Sequence, residues 1–289
     1  MAHKKRPVTK AIIPVAGIGT RFLPATKAQP KEMLPLVDKP VIQYIVEDMV
    51  AAGIKDIIFV TSMGKRAIED HFDRNFELEY RLAQKKKTAE LKEISKIGKL
   101  ANFAFVRQDK PLGDGHAILS ALPFIDDNED VMIMFGDDLA VGLAADLLKT
   151  FQEHEEPVLG MIDVPKDQTH RFGIIGGEKI NKRLWRANSW VEKPKRNPPS
   201  TLAWQGSAIL SYDMLARLKK TKPAKDGEIR LAGMYEDYFN EGGTILAHVI
   251  DNVRFDCGNK LEYLKAQMYF GMQRPEFKKE LRAYMKTLK

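Results

Sequence analysis

Between residues 11 and 135 the chain repeats one pattern: a short apolar run, then a stretch with helical periodicity. The runs are 11–16, 56–61, 103–107 and 131–135. A strand with one wet face alternates polar and apolar side chains. These runs do not, so each predicts a strand buried on both sides. Between them, helices are predicted over 41–52, over 65–72 and from about His116, the first opened by Pro40 and closed by Gly53. Strands and helices in alternation define an α/β chain: a Rossmann-like mixed, mostly parallel sheet with helices on both faces. In such sheets ligands sit beyond the carboxyl ends of the strands, so the segments after residues 16, 107 and 135 are where chemistry is expected.

Composition sets the outer limits. With 44% hydrophobic and 9% aromatic residues in 289, the chain fills a core and is not a disordered one. No apolar run reaches the roughly 18–20 residues of a membrane span, and nothing near the start has a signal-peptide core. A single cysteine, Cys257, excludes an internal disulfide framework and a multi-cysteine zinc site. A cytoplasmic protein with no membrane partner is the expectation. The net charge of +7 is dispersed over residues 3–6, Lys85-Lys86-Lys87 and the C-terminal region. Without interleaved aromatic residues it predicts solvated surface and no nucleic-acid partner. One unit is expected over 1–289. A charged stretch at 76–100, with Leu78, Leu82, Leu91, Ile94 and Ile97, is an amphipathic helix or helical hairpin inserted between strands. From residue 172 strands shorten and Gly- and Pro-rich turns appear, and 259–289 is helical.

The first strand runs into Gly17-Ile18-Gly19-Thr20-Arg21. A dinucleotide fingerprint would need a glycine where Phe22 stands, and a P-loop would need Gly-Lys-Ser/Thr, so neither applies. The loop continues through Pro24, Pro30 and Pro35 and carries Arg21 and Lys31. A long, proline-stiffened loop with free amides and fixed cations has the components of a polyphosphate cradle.

The stretch 13–28, followed by Pro30-Lys31-Glu32-Met33-Leu34-Pro35, closely resembles the nucleotide signature of bacterial UTP–glucose-1-phosphate uridylyltransferases, within the sugar-nucleotidyltransferase family. Gly113-Asp114-Gly115-His116-Ala117, Gly136-Asp137-Asp138, Val191-Glu192-Lys193-Pro194 and Asp256-Cys257-Gly258-Asn259-Lys260 recur in the family's order. The resemblance implies transfer of UMP from UTP to glucose 1-phosphate, giving UDP-glucose and pyrophosphate, with Mg²⁺. It divides the chain into a nucleotide-binding half at about 8–165 and a sugar-binding half at about 166–258. It places Lys31 at the α-phosphate, and Arg21 with the amides of Gly17, Gly19 and Thr20 around the pyrophosphate. Asp137 and Asp256 would hold the metal, since Mg²⁺ takes one or two carboxylates plus phosphate oxygens. Asp138, pointing to the opposite side of a strand, is ranked lower, with helix capping as its alternative role. Gln108, with a donor and an acceptor, and Gly113 would meet the uracil; Ala16, Gly17 and Glu32 add contacts. Glu192 would accept from sugar hydroxyls, Lys193 would meet the sugar phosphate, and Gly173 and Gly206 would leave room for the hexose. His116 is expected as a helix-start residue beside the base, and Cys257 as a small buried neighbour of Asp256.

Asp226-Gly227-Glu228-Ile229-Arg230-Leu231-Ala232-Gly233 departs from the family, which has Gln-Leu-Thr-Asp after Gly-Glu-Ile. That segment is expected on the sugar side. A thymidylyltransferase, a uridylyltransferase for another hexose 1-phosphate, or a catalytically weak regulatory paralogue are the alternatives. A homo-oligomer, dimer or tetramer, is the expected assembly.

Overall fold

The structure is a computed structural model and describes residues 7–288. The basic cluster at residues 3–6 lies outside the described residues. Strands are β1 (Lys10–Pro14), β2 (Pro35–Leu36), β3 (Lys39–Pro40), β4 (Asp56–Thr61), β5 (Asn102–Arg107), β6 (Val131–Met134), β7 (Asp138–Ala140), β8 (Val158–Asp163), β9 (Gly173–Lys179), β10 (Leu184–Glu192), β11 (Leu202–Leu210), β12 (Ile245–Val249) and β13 (Arg254–Asp256). Helices are α1 (Val41–Ala52), α2 (Arg66–Phe72), α3 (Phe76–Gln84), α4 (Thr88–Ile97), α5 (Asp114–Ala121), α6 (Leu143–His154), α7 (Tyr212–Arg217), α8 (Leu231–Asn240), α9 (Lys260–Gln273) and α10 (Pro275–Met285).

Nine strands form one sheet in the order β5-β4-β1-β6-β11-β8-β12-β10-β9. The apolar runs explain its centre: Ala11, Ile12 and Ile13 of β1 are fully buried, successive side chains entering opposite cores. One core packs α1, α2, α6 and α9 on the sheet through residues such as Ile42, Phe72, Leu147 and Ala266. The other packs α5, α7 and α8 through Ile118, Leu215 and Tyr235. Helices thus cover both faces, as the continuous hydrophobicity required.

Pairing is parallel from β5 through β4 and β1 to β6, and again between β8 and β12. Strands β10 and β11 run antiparallel to all their neighbours, so parallel pairing does not dominate as the sequence pattern suggested. The cause is local for β9 and β10. Only four residues separate Lys179 from Leu184, too few for the crossover that a parallel return needs.

The charged insert is a helical hairpin, α3 and α4, capped at its start by the Asn75 side chain accepting from the Leu78 amide at 3.0 Å. Outside the main sheet, β7 and β13 form an antiparallel pair in which Asp138 faces Asp256 across the strands.

Candidate active site

Three segments meet beyond the carboxyl ends of β1 and β6. The chain leaves β1 with the Val15 amide still bonded to the Val60 carbonyl at 2.9 Å, and the Ala16 carbonyl accepts from Ser62 at 2.9 Å. Gly17 has open space where a Cβ would sit. Gly19 has φ +71°, a conformation that glycine adopts without cost, and its carbonyl accepts from Thr26 Oγ1 at 2.7 Å. The loop then folds back through the short helical turn Lys31–Met33.

Lys31 Nζ lies 2.5 Å from Asp137 Oδ2. Burial works against the ammonium, but Asp137 and Glu32 outweigh it and raise its pKa, so Lys31 is a firm cation. Asp137 lies in the turn between β6 and β7, and Asp256 ends β13. A Cβ on Gly258 would lie 2.4 Å from Asp137 Oδ2 and 3.0 Å from Asp256 Oδ1. Both carboxylates therefore look into one small volume that a glycine leaves free. Two carboxylates beside a space lined by cations and glycine backbone, where phosphate oxygens could complete the shell, are the donor set that Mg²⁺ takes, so these residues fit that ion.

Asp138 corrects the sequence reading. Alternation along a strand would have turned it away from Asp137, but β7 begins only at Asp138 and Asp137 belongs to the turn, so both carboxylates reach the same cavity. Nor does Asp138 cap a helix. It takes a two-pronged ion pair from Arg254, Nε to Oδ1 at 2.7 Å and Nη2 to Oδ2. With its amide nitrogen facing the carboxylate, Gln205 adds donors at 3.0 and 3.2 Å. Burial, opposed by Arg254, pushes the Asp138 carboxyl up to about 7. Arg254 was legible in principle, because it stands two residues before Asp256 and so on the same side of β13.

Two cavities share Lys31, Phe135 and Asp137. The first, about 400 Å³, brings Gly19, Thr20, Arg21, Lys31, Asp137, Asp256 and Gly206 together, with Phe172, Trp204 and Arg254 not anticipated. Arg21 reaches across it to the Gly258 carbonyl at 3.4 Å. The second, about 320 Å³, collects Ala16, Gly17, Glu32, Gln108 and Gly113. Gln108 Nε2 donates to the Gly113 carbonyl at 2.9 Å and stands 3.2 Å from His116 Nδ1, which places His116 beside the cavity in the first turn of α5. Glu32 is committed elsewhere: it is 1% exposed and accepts from Lys65 Nζ at 2.9 Å, so its carboxylate braces the loop from below. Burial raises its pKa against the pull of Lys65.

Gly173, Glu192 and Lys193 line neither cavity. They adjoin Phe172, whose carbonyl accepts from the Lys193 amide at 2.9 Å, and the Glu192 and Lys193 side chains pair at 3.2 Å. The space beside Gly173 holds Trp190: a Cβ there would lie 1.9 Å from its ring. At Gly206 a Cβ would lie 2.9 Å from the Phe135 ring. Both glycines make room for aromatic rings; Gly173 lines neither cavity and so leaves no space for the expected hexose, whereas Gly206 does line the first cavity. Cys257 is buried, its thiol pKa pushed up by burial, and its amide donates to the Asp137 carbonyl at 2.8 Å.

The departing segment sits against the second cavity, not on the sugar side alone. Ile229 N donates to the Leu112 carbonyl at 2.7 Å, Leu231 N to Asp114 Oδ1 at 2.8 Å, and a Cβ on Gly113 would meet the Ile229 oxygen at 2.5 Å. Arg230 pairs with Asp226 and, at 2.9 Å, with Glu228, which lines the cavity.

A mixed sheet whose carboxyl-edge loops carry a glycine-rich backbone, fixed cations and paired aspartates has the layout of an enzyme that binds and transfers phosphorylated groups. The Nucleotidyl transferase family matches residues 10–272. A UTP–glucose-1-phosphate uridylyltransferase of Bacillus subtilis is 42% identical over 287 residues, covering 98% of each chain. A second, from Staphylococcus saprophyticus, is 43% identical over 98% of this chain and 99% of its own. Among solved structures, UTP-bound UGPase from Acinetobacter baumannii superposes with TM-score 0.89 at 35% identity, covering 98% of this chain and all of that one. A UDP-glucose pyrophosphorylase complexed with UDP-glucose gives 0.82 at 33% identity, covering 92% of this chain and all of that one. The chain belongs to the nucleotidyl transferase family, and its sequence and structural relatives here are UTP–glucose-1-phosphate uridylyltransferases.

Proposed function

We propose that the protein transfers UMP from UTP to glucose 1-phosphate. The observation that carries this reading is the convergence of Lys31, Asp137 and Asp256 on one cavity that shares Lys31, Phe135 and Asp137 with a second of about 320 Å³. An oxygen of the sugar phosphate attacks the α-phosphorus of UTP, the bond from that phosphorus to the bridging oxygen of the β-phosphate breaks, and pyrophosphate leaves with the electron pair. The nucleophile is already an anion, so no general base is required, and the site's work is alignment and charge neutralisation.

Lys31, raised as a cation by Asp137, exchanges that partner for the α-phosphate as substrate enters. Arg21 and the amides of Gly17, Gly19 and Thr20 receive the departing pyrophosphate. Asp137 and Asp256 would hold Mg²⁺, which neutralises phosphate charge when bound. Gln108 offers its carbonyl to the uracil edge, its amide being held by Gly113. Gly113 and the backbone of Ala16 wall the base, and Glu32 supports them through Lys65. Glu192 and Lys193, at the end of β10, take the hexose hydroxyls and its phosphate. In this reading residues 8–165, with the insert at 76–100, form the nucleotide-binding half and 166–258 the sugar-binding half. The segment expected at 259–289, of which α9 and α10 are the helices described, closes the fold, and the protein works in the cytoplasm as a dimer or tetramer.

Pyrophosphate release tests the reading directly, with Mg²⁺ and with UTP and dTTP crossed against glucose, galactose and N-acetylglucosamine 1-phosphates. Preferred turnover of UTP with glucose 1-phosphate is expected. No release with any pair would overturn it.

A further inference from the structure

The first cavity has two chemically different sides. Around Gly19, Thr20, Arg21 and Gly258 it is backbone amide and cation. Phe135, Phe172, Trp204, Gln205 and Gly206 carry no charge, and the Arg254 and Asp138 charges beside Gln205 are paired with each other. A polyanion gains nothing from the second side, whereas a pyranose, with polar edges and C–H faces, matches an aromatic surface.

Trp204 is aimed and held there by unusual means. Strand β11 slips against β8 between Trp204 and Ala208: four steps along β11 correspond to two along β8, from Met161 to Leu159. Such bulges re-aim side chains beside functional sites. Gly206, at the centre of this one, has φ +101°, and the space beside its Cα is taken by Phe135. The indole Nε1 donates to the Ser207 carbonyl at 2.9 Å, which fixes the ring's long axis. Three rings then meet it edge to face: Phe135 at 5.5 Å, Tyr235 at 5.5 Å and Trp190 at 6.0 Å. Trp190 can pack there because Gly173 has no side chain. A ring braced by three neighbours that also lines the cavity loses little freedom when a ligand arrives.

We propose that Trp204 is a specificity-determining residue for the acceptor hexose, its indole being the surface on which the C–H face of the pyranose stacks. The proposal rests on the uridylyl-transfer reading above. The face of α-glucose 1-phosphate opposite its axial phosphate carries axial C–H bonds at C2 and C4, and this is the face the indole takes; the axial 4-hydroxyl of galactose interrupts it. The ring therefore favours the gluco configuration.

The test compares wild type with Trp204→Phe and Trp204→Val, by pyrophosphate release and by equilibrium binding of UTP and UDP-glucose. In Trp204→Val the KM for glucose 1-phosphate should rise about tenfold and the preference in kcat/KM for glucose over galactose 1-phosphate should shrink about fivefold, the scale of a lost apolar contact in a pocket. The KM and affinity for UTP should stay within about twofold, and Trp204→Phe should keep most of the preference. If Trp204→Val does not fold, fluorescence decides. Quenching by glucose 1-phosphate should survive in Trp185→Phe and vanish in Trp204→Phe. An unchanged sugar preference, a parallel rise in the KM for UTP, or quenching that persists in Trp204→Phe each overturns the proposal. Absence of release by wild type with every hexose 1-phosphate would instead overturn the reading beneath it.

Discussion

Lys31 and Asp137 hold each other across the site, and in the proposed reaction each meets a charge that competes with the other. Replacing Lys31 with alanine removes the cation paired with Asp137 and the charge proposed to meet the α-phosphate. Turnover should fall by about 10²–10³-fold, the usual loss for one donor aimed at a developing charge, while UTP still binds through the glycine loop and the base pocket. Near-normal turnover would take Lys31 out of the mechanism. Gly258 gives an independent probe of the metal site, because its backbone is ordinary and only the missing methyl matters. Gly258→Ala should raise the Mg²⁺ needed for half-maximal activity by about tenfold with little change in melting temperature. An unchanged Mg²⁺ titration would place the metal elsewhere. That Lys31, Asp137 and Asp256 come together at one cavity was legible because each stands in a motif that carries the family resemblance. The orientation of Asp138 was not, because it depends on where β7 begins, and one residue's error in a strand boundary reverses which way a side chain points; Arg254 could be placed on the side of Asp256, but its pairing with Asp138 could not.

Helix α6 starts at Leu143 with no cap from its own chain neighbours. Asp48, far back in α1, supplies it: Oδ1 accepts from Gly142 N at 2.6 Å and Oδ2 from Ala144 N at 3.0 Å. Burial raises the Asp48 pKa, and the two amides pull it back. One carboxylate thus caps one helix and locks another against it. Asp48→Ala should cost about 1–2 kcal/mol in urea unfolding, at the upper end for a cap because two amides lose their acceptor together. A loss below a few tenths would mean that water replaces it freely. This cap could not be read from the sequence, since its partners lie more than 90 residues apart. What could be read at this scale was whatever the local chain dictates. Pro40 and Gly53 gave α1 its ends as expected, Gly53 closing it at φ +108° with bonds to Met49 and Val50. The antiparallel β10 and β11 escaped because their apolar pattern does not encode direction; only the short link from Lys179 to Leu184 does, and only for one pair.

At the level of the molecule, two histidines tie helices into the structure, His248 buried and His71 half-buried, and the pKa of each is lowered. His71 of α2 meets Gln43 of α1 at 2.9 Å, and His248 of β12 meets Thr150 of α6 at 2.8 Å. Burial lowers the pKa of each below 6.5; Glu47 opposes this at His71, while at His248 Arg183 reinforces it and Asp146 and Asp251 oppose it. In the unfolded chain both regain their ordinary values. Below pH 6.5 the unfolded state therefore binds more protons than the folded one, and unfolding free energy falls as pH falls. The stability these groups contribute is fully present above that value and is lost toward the folded pKa. The raised carboxylates Glu32, Asp48, Asp114 and Asp138 have the opposite sign, because the folded state is the one that takes up their protons more readily. The histidine contribution is therefore a difference: melting temperature against pH, from 5 to 8, for wild type and for the double variant His71→Gln/His248→Gln. The wild-type curve should drop more steeply on the acid side, and the gap between the two curves should be constant above about pH 7. Parallel curves throughout would mean that both imidazoles titrate in the folded protein as they do in water, and that neither helix contact excludes the proton.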